Sequence, residues 1–563
     1  MYKRLALAVL LCAAAGWARQ ATVTLLATTD LHGNIYPFDY FTGRPAERGL
    51  AKIATIIQSV RRETPNTVLI DCGDTIQGTP LEAVYQSYVS TGRLPLGLAF
   101  AGEPLSHDPM MLAMNALGYQ GMVVGNHEFN FGLENIARAR ADAKFPWLSA
   151  NTLVEPGAAI KPFAPYIVAK VDGIRIAIVG ATTPAIPTWE KPENFAGCRF
   201  LNPKEAVASA IAELRRTERP DIIVVAAHMG LGHAGAGPEG VYENAARSIV
   251  SGVTGIDAMV IGHTHEQMAE SRIGDVLVVQ PKNWGISLAR IDFTLESSAD
   301  SRWRVVNKRS RLLPVSADVP PDPLVLKLAK PYHELTERYL NTVVAESGAE
   351  LDSRLGRVED TALVDAVHAV QMHYAKADVS FAALFNPRVR VPAGPVTVRQ
   401  IAALYIYENE LYAVEGTGRM VKEALENAAR YFETCPDAAC SHGPLINSRV
   451  AGFNYDTAQG VEYEIDLTRA PGDRILNLRR KGKPLRPDDK LRIAVNNYRA
   501  GGSGGYGMFR DAKVVWRSNE DIRGLIVEYY IAHKKLPAKA DNNWRILPPQ
   551  AARILEQEAL QAR

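Results

Sequence analysis

Five short apolar runs in the first half of the chain each end in residues that ligate metals. This recurrence constrains the fold more than any other feature. In the central case Met122-Val123-Val124 leads to Gly125-Asn126-His127-Glu128-Phe129, which packs an amide, an imidazole and a carboxylate into three residues. Val23 to Ala27 leads to Asp30 and His32, and Thr67 to Ile70 leads to Asp71 and Asp74. Ile222 to Ala227 leads to His228, and Met259 to Ile261 leads to His263 and His265. Apolar runs of this length, bounded by turn residues, read as buried parallel strands. In open α/β sheets the ligand site lies beyond the carboxyl ends of the strands. Five such ends converging would bring together oxygens from Asp30, Asp74 and Asn126 and nitrogens from His32, His228, His263 and His265. That donor set suits two metal ions.

Each residue alone has a blander reading. Asp30 before Leu31-His32-Gly33 could be a cap or turn residue, and a single strand-end histidine is more often structural than a ligand. The grouping decides the matter, because five of the twelve histidines fall at strand ends and none falls in an expected helix. Two nearby cations suit hydrolysis of phosphate esters, since they activate water and clamp the attacking and leaving oxygens. His127 stands one residue beyond Asn126, placed to stabilise the phosphoryl charge or to protonate the leaving oxygen.

At 563 residues the chain is too long for one ordinary domain, and two large ones are expected. A hydrophobic fraction of 47% and a charged fraction of 22% are those of a globular protein. A net charge of +2 gives no electrostatic case for nucleic-acid polymers or membrane surfaces. Lys3 and Arg4 precede the apolar run Leu5 to Ala15, with small residues at Gly16-Trp17-Ala18. This is the layout of a cleavable secretory signal over residues 1–18, too short for a membrane span. A periplasmic or secreted protein is therefore expected, without a membrane anchor once the leader is removed. Of the four remaining cysteines, Cys435 and Cys440 could close a short loop, and geometry decides whether they do. Cys72, between two acids, reads as a packing residue with a metal contact conceivable.

From about residue 19 to 320 the apolar runs alternate with helical patterns, as at Leu50, Ile53, Ile57 and Val60, at Val207, Ala210, Ile211 and Leu214, and over Met110 to Leu117. Such alternation means a layered α/β domain. Tyr166–Val171 and Arg175–Val179 read as a hairpin about Asp172-Gly173. Proline enrichment over Leu313 to Pro323 marks a boundary, followed by a linker over residues 321–345 with a connecting helix from Pro323 to about Leu340. A mixed α+β domain over residues 346–550 and a C-terminal tail over 551–563, with a short helix near Arg553 to Gln561, complete the chain.

One motif points elsewhere. Gly230-Leu231-Gly232-His233-Ala234-Gly235 fits the G-x-G-x-x-G dinucleotide fingerprint. No helix opens there, and Asp257 stands too late for the acid the fingerprint requires. These glycines read instead as room for the loop after His228 to pass close to the metals. In the second domain, Asn496-Asn497-Tyr498-Arg499-Ala500 leads into a glycine-rich stretch ending at Tyr506-Gly507, and Gly452-Phe453-Asn454-Tyr455 stands some forty residues earlier. Aromatic rings on glycine-flanked loops suit stacking on planar ligands, although the same rings could be core residues. Phe453, Asn496, Tyr498 and Tyr506 are the candidates for substrate binding.

Thr29-Asp30-Leu31-His32-Gly33, Gly73-Asp74, Gly125-Asn126-His127-Glu128, Ala227-His228-Met229-Gly230 and Gly262-His263-Thr264-His265 resemble the calcineurin-like metallophosphatases of the 5′-nucleotidase superfamily. Phe38-Asp39-Tyr40, Ile76-Gln77-Gly78, Asn130, Asn496 to Ala500 and Ala540 to Arg545 bring the resemblance closer to bacterial 2′,3′-cyclic-nucleotide 2′-phosphodiesterase/3′-nucleotidases. The resemblance implies a four-layer α/β/β/α sandwich followed by a nucleoside-binding domain. It implies two divalent metal ions (Mn, Zn, Fe or Co). Asp30, His32, Asp74 and His265 would hold one, and Asp74 would bridge to a second held by Asn126, His228 and His263. It implies that His127 is catalytic, that a base lies between an aromatic near Phe453 and Tyr498, and that the domains swing about the connector.

Two departures bear on substrate. Asn130 stands where 5′-nucleotidases carry an aspartate that orients the histidine, and Ala383-Leu384-Phe385-Asn386-Pro387 lacks the arginine-bearing Asn-Gly-Gly type motif. Both suit the cyclic-nucleotide branch. The expected activity is hydrolysis of 2′,3′-cyclic nucleotides to 3′-nucleotides and then to nucleoside and phosphate, by a monomer acting on small molecules. The alternatives are a 5′-nucleotidase or nucleotide-sugar hydrolase, or an inactive nucleotide-binding protein that kept the fold.

Overall fold

The computed structural model describes residues 19–92, 96, 105–232, 243–297, 302–437, 440 and 444–561. The expected leader lies outside these residues, as do residues 233–235 of the glycine-rich motif.

The apolar runs form the middle of two six-stranded sheets. In the first, Gln20–Thr28, Thr67–Asp71, Gly121–Val123 and Trp147–Leu148 run parallel, and the antiparallel pair Ser287–Ser297 and Trp303–Pro314 completes one edge. In the second, Ile174–Thr182, Ile222–His228, Ala258–Ile261 and Val276–Gln280 run parallel between antiparallel edges at Tyr166–Val171 and Met268–Ile273. The expected hairpin about Asp172-Gly173 forms one of these edges. Both faces of the parallel strands are covered, so they appear in sequence as unbroken apolar runs rather than alternation.

The sheets pack face to face, with Val23, Leu25, Val68 and Ile70 in one buried cluster with Ile176, Ile178, Val224 and Val260. Helices Leu50–Glu63 and Pro109–Leu117 cover the outer face of the first sheet, and Pro203–Thr217 and Ala246–Gly252 cover that of the second. The layering is the α/β/β/α sandwich expected. Ile53 and Ile57 are fully buried, and truncating either to alanine would cost about 2–5 kcal/mol. Asp108 caps Pro109–Leu117 by accepting from the Met111 amide at 3.0 Å, and Gly118 ends that helix at φ 68°.

The connecting helix is Pro323–Leu340, capped by Asp322, with Val325, Tyr332 and Leu335 buried in the same core as the helices of the first sheet. These are the bounds expected of it. Val343–Ser347 already pairs with Gly394–Thr397, so residues 343–345 belong to the second domain's strands and not to a linker. The second domain holds a five-stranded sheet in the order Asp456–Gln459, Val379–Ala383, Lys490–Asn496, Glu410–Thr417, Val514–Asp521. A four-stranded sheet around Glu462–Asp466 and helices Ala362–Ala375, Gly418–Ala428 and Ile522–His533 accompany it. The helix expected near Arg553 to Gln561 forms, starts four residues earlier, and packs into this domain. Helix Pro549–Gln561 buries Ala551 and Leu555, four residues apart on one face, in the domain core.

Cys435 and Cys440 form a disulfide with Cα atoms 4.8 Å apart, within the range a bridge needs. Cys72 is buried between the sheets, its thiol turned to the Val260 carbonyl, and packs rather than ligates. Among the described residues no helix is long and apolar enough to cross a membrane.

Candidate metal centre and active site

Three of the five strand ends deliver their candidate ligands through strained backbone. Asp30, His32, Asp74, His263 and His265 all hold positive φ, between 47° and 72°. An L side chain there costs on the order of 1–2 kcal/mol per residue, so neighbouring contacts must over-determine the conformation. Buried Glu128 supplies several of them, accepting backbone N–H groups from Gly125 (2.6 Å), Asp74 (2.9 Å) and Thr75 (2.6 Å). It thereby ties two adjacent strand ends together. Gly125 is required at this junction, because a Cβ would lie 2.2 Å from Asp74 Oδ1.

The side chains gather into two donor groups, Asp30 with His32 and His265, and Asp74 with His228 and His263. Asp74 stands between them, its Oδ2 3.0 Å from His228 Nε2 and 4.0 Å from His32 Nε2. Nε2 of His32 and Nε2 of His265 converge to 3.0 Å.

These residues fit a pair of cations. Three imidazoles each have one nitrogen engaged away from the centre. His32 Nδ1 is 2.8 Å from the Gln77 carbonyl, His228 Nδ1 is 2.7 Å from the Cys72 carbonyl, and His263 Nε2 is 2.9 Å from Glu243 Oε1. Pinning one nitrogen in this way frees the other for a metal. Asn126 Oδ1 is buried without a hydrogen-bond partner, a costly state that a cation would relieve. Burial, with the nearby His265, holds the His32 imidazole down to about 3, the neutral form a metal needs. Burial opposes charge on His228 as well, but the Asp74 carboxylate outweighs it and lifts the imidazole to about 10. Something positive belongs between these two groups, and a metal would replace the proton. Asp71 joins neither group, since Thr28, Gly73 and Thr75 all donate to it.

His127 opens a 3₁₀ turn, His127–Phe129. It belongs to neither donor group, yet its Nε2 lies 4.0 Å from Asp74 Oδ2. Its Nδ1 sits 2.6 Å from Asn130 Oδ1, and the Asn130 amide in turn donates to Glu190. Burial pushes the Glu190 carboxyl up to about 7 against the amides of Asn194 and Asn130.

The second domain reaches this centre through Tyr498, whose hydroxyl is 3.5 Å from His127 Nε2. One face of the Tyr498 ring stacks on Trp189 at 5.8 Å. The Asn497 side chain donates to the Trp189 carbonyl at 2.8 Å, and Lys191 pairs with Glu410 at 2.7 Å. Phe453 is 49% exposed, in the 3₁₀ turn Gly452–Asn454, and Arg499 donates to its carbonyl at 2.6 Å. Buried Arg499 is fixed in turn by two contacts of 2.9 Å to Asp456.

Two expected binding residues are corrected. Tyr506 is fully buried, with Arg499 over its ring and its hydroxyl donating to the Asn454 carbonyl, so no face is open to a base. The Asn496 side chain caps the short helix Asn497–Ala500 by accepting from the Arg499 amide at 2.9 Å. Trp189, Glu190 and Glu243 were not legible in the sequence, because they lie in segments without periodicity and far from the motifs they serve. At Gly230 an added Cβ would lie 2.4 Å from Thr264, in keeping with close passage of that loop, while Asp257 accepts from the Ile223 amide.

A sandwich of this layering, with paired acid and imidazole donors at its strand ends, defines a metallophosphoesterase. The calcineurin-like phosphoesterase family model matches residues 23–267, and the 5′-nucleotidase C-terminal domain model matches residues 341–511. The 2′,3′-cyclic-nucleotide 2′-phosphodiesterase/3′-nucleotidase of Salmonella typhimurium is 30% identical over 96% of this chain and 91% of its own length. The trifunctional nucleotide phosphoesterase YfkN of Bacillus subtilis is 29% identical over 97% of this chain, which spans only 40% of that protein. A 5′-nucleotidase crystal structure from Staphylococcus aureus superposes with a TM-score of 0.76 at 25% identity, over 93% of this chain and all of its own. The chain belongs to the 2′,3′-cyclic-nucleotide 2′-phosphodiesterase/3′-nucleotidase family of phosphoric ester hydrolases.

Proposed function

We propose that the chain is an exported dinuclear-metal phosphoesterase that opens 2′,3′-cyclic nucleotides to 3′-nucleotides and then releases phosphate, leaving a nucleoside. The observation that carries this reading is Asp74 standing between two donor groups whose histidines are already pinned. Asp30, His32, Asp74 and His265 would hold one cation, and Asp74, Asn126, His228 and His263 the other. When bound, the cations supply Lewis acidity and a nucleophile at neutral pH. Imidazole and carboxylate donors suit Mn, Zn, Fe or Co.

His127 acts at Nε2. As the bond from phosphorus to the leaving oxygen breaks, the Nε2 proton passes to that oxygen. Tyr498 and Phe453 hold the nucleobase. Trp189 covers one face of Tyr498, so the base stacks on the other face, toward Phe453. Export is supported by the Lys3-Arg4 and Leu5–Ala15 layout and by the Cys435–Cys440 disulfide, a bond of oxidising compartments.

Asn130 in place of an acid and the 30% identity to the Salmonella enzyme favour cyclic and 3′-nucleotides, whereas the likeness to the Staphylococcus structure favours a 5′-nucleotidase. Rates on 2′,3′-cyclic AMP, 3′-AMP and 5′-AMP separate the two. The proposal expects 3′-AMP as a transient product of the cyclic substrate, and 5′-AMP slower by about tenfold or more in kcat/KM. Fastest turnover of 5′-AMP would overturn it.

A further inference from the structure

Asn130 is an amide where an acid would orient His127 by charge, yet the carboxylate is not missing from the site. It is displaced by one side chain. The amide nitrogen of Asn130 donates to Oε1 of Glu190, and the Asn194 amide donates to Oε2 of the same carboxylate at 2.8 Å. Asn194 also donates to the Asn130 carbonyl at 3.2 Å, closing a small network around the buried Glu190.

We propose that Glu190 is a positioning residue for the phosphoester reaction, acting through Asn130 to fix the tautomer and orientation of the His127 ring. The inference rests on His127 serving as the proton donor. The logic is one of donor and acceptor inventory. An ionised carboxylate is acceptor-only, so each of its oxygens can take one of the two amide groups. With its nitrogen committed to Glu190, Asn130 must present Oδ1 to His127, and His127 Nδ1 must be the protonated nitrogen of that 2.6 Å contact. Nε2 is then the nitrogen left to gain and give the transferable proton, and it is the one that faces Asp74 and Tyr498. The placement of Glu190 is itself held from the second domain, by Asn497 on the Trp189 carbonyl and Glu410 on Lys191.

Replacing Glu190 by glutamine breaks the inventory. The single carbonyl of a glutamine cannot satisfy both Asn130 and Asn194, so Asn130 is free to flip and offer its NH₂ to His127. Changing Asn130 to aspartate at the same time restores a consistent network. The introduced carboxylate would accept from both His127 and the amide of the introduced glutamine, whose carbonyl would accept from Asn194.

The test compares Glu190→Gln, Asn130→Asp/Glu190→Gln and His127→Asn at pH 8, above the value of about 7 to which burial pushes the Glu190 carboxyl. Two substrates are used. 2′,3′-cyclic AMP leaves through an alkoxide that needs a proton, and bis(p-nitrophenyl) phosphate leaves through a phenolate that does not. Glu190→Gln is expected to lower kcat on the cyclic nucleotide by about tenfold or more while changing the artificial diester by less than about threefold. The double variant is expected to return to within about threefold of wild type on both. Equal losses of Glu190→Gln on the two substrates, or no recovery in the double variant, would overturn the proposal. So would an unchanged Glu190→Gln beside an inactive His127→Asn, which would leave the role of His127 standing. A fully active His127→Asn would overturn both together.

Discussion

The hydroxyl of Tyr498 lies 3.5 Å from Nε2 of His127, so a residue of the second domain reaches the reacting centre of the first. In the proposed function the two domains share one site, with metal chemistry at the strand ends of the sandwich and base recognition at Tyr498, on the short helix Asn497–Ala500.

This division predicts a substrate-selective loss in Tyr498→Ala. Base–aromatic stacking is worth about 1–3 kcal/mol, or about 5- to 150-fold in kcat/KM. The loss should fall on 2′,3′-cyclic AMP and spare bis(p-nitrophenyl) phosphate, which carries no base. Tyr498→Phe, which keeps the ring face, should resemble wild type, and Phe453→Ala should repeat the selective loss. Equal losses of Tyr498→Ala on both substrates would reduce the residue to a support for Trp189.

For His127→Asn, metal content and fold should be retained while turnover of the cyclic nucleotide falls by about 10²- to 10⁴-fold. The residue belongs to neither donor group, so elemental analysis beside kcat separates chemistry from metal loss. A mutant with near wild-type kcat would demote it.

How much of this was legible follows from where each residue stands. The candidate donors were readable because they stand at or just beyond the ends of strands buried on both faces, whose apolar runs cannot be mistaken for a surface helix. Asn126 and His127 were readable for the same reason. Glu190 was not, since it contacts Asn130 sixty residues away in sequence, from a segment of short 3₁₀ turns that carries no period. Tyr506 was misread because a glycine-flanked aromatic looks the same in sequence whether its ring turns inward or outward. The helix at the end of the chain was legible, but its docking was not, because a helix that buries only Ala551 and Leu555 gives a weak pattern until its docking face is known.

Asp108 predicts a pH dependence of stability. Burial pushes its carboxyl up to about 7, with Asp142 adding to the rise, and its Oδ2 is buried without a partner. A raised native value means that the stability contribution is fully present below the unfolded value of 3.8 and is lost as pH rises through 7. Asp108→Asn keeps the cap without the charge. Between pH 5 and pH 8 it should lose less stability than wild type, by on the order of 1–2 kcal/mol. Parallel losses in thermal melts at the two pH values would contradict this.

Asp74→Ala should be the most damaging single ligand change, because the carboxylate stands between both donor groups. The mutant is expected to lose metal from both sites and turnover with it. Retention of full metal content and full rate would remove Asp74 from the bridging role.

The central claim, a two-cation site at the strand ends, is tested most directly by titrating chelator-stripped protein with Mn(II) while following hydrolysis of 2′,3′-cyclic AMP. The two donor groups at Asp30 and Asp74 predict that the rate rises to a plateau at two equivalents per chain. A full rate at one equivalent, or in the stripped protein itself, would contradict the dinuclear account.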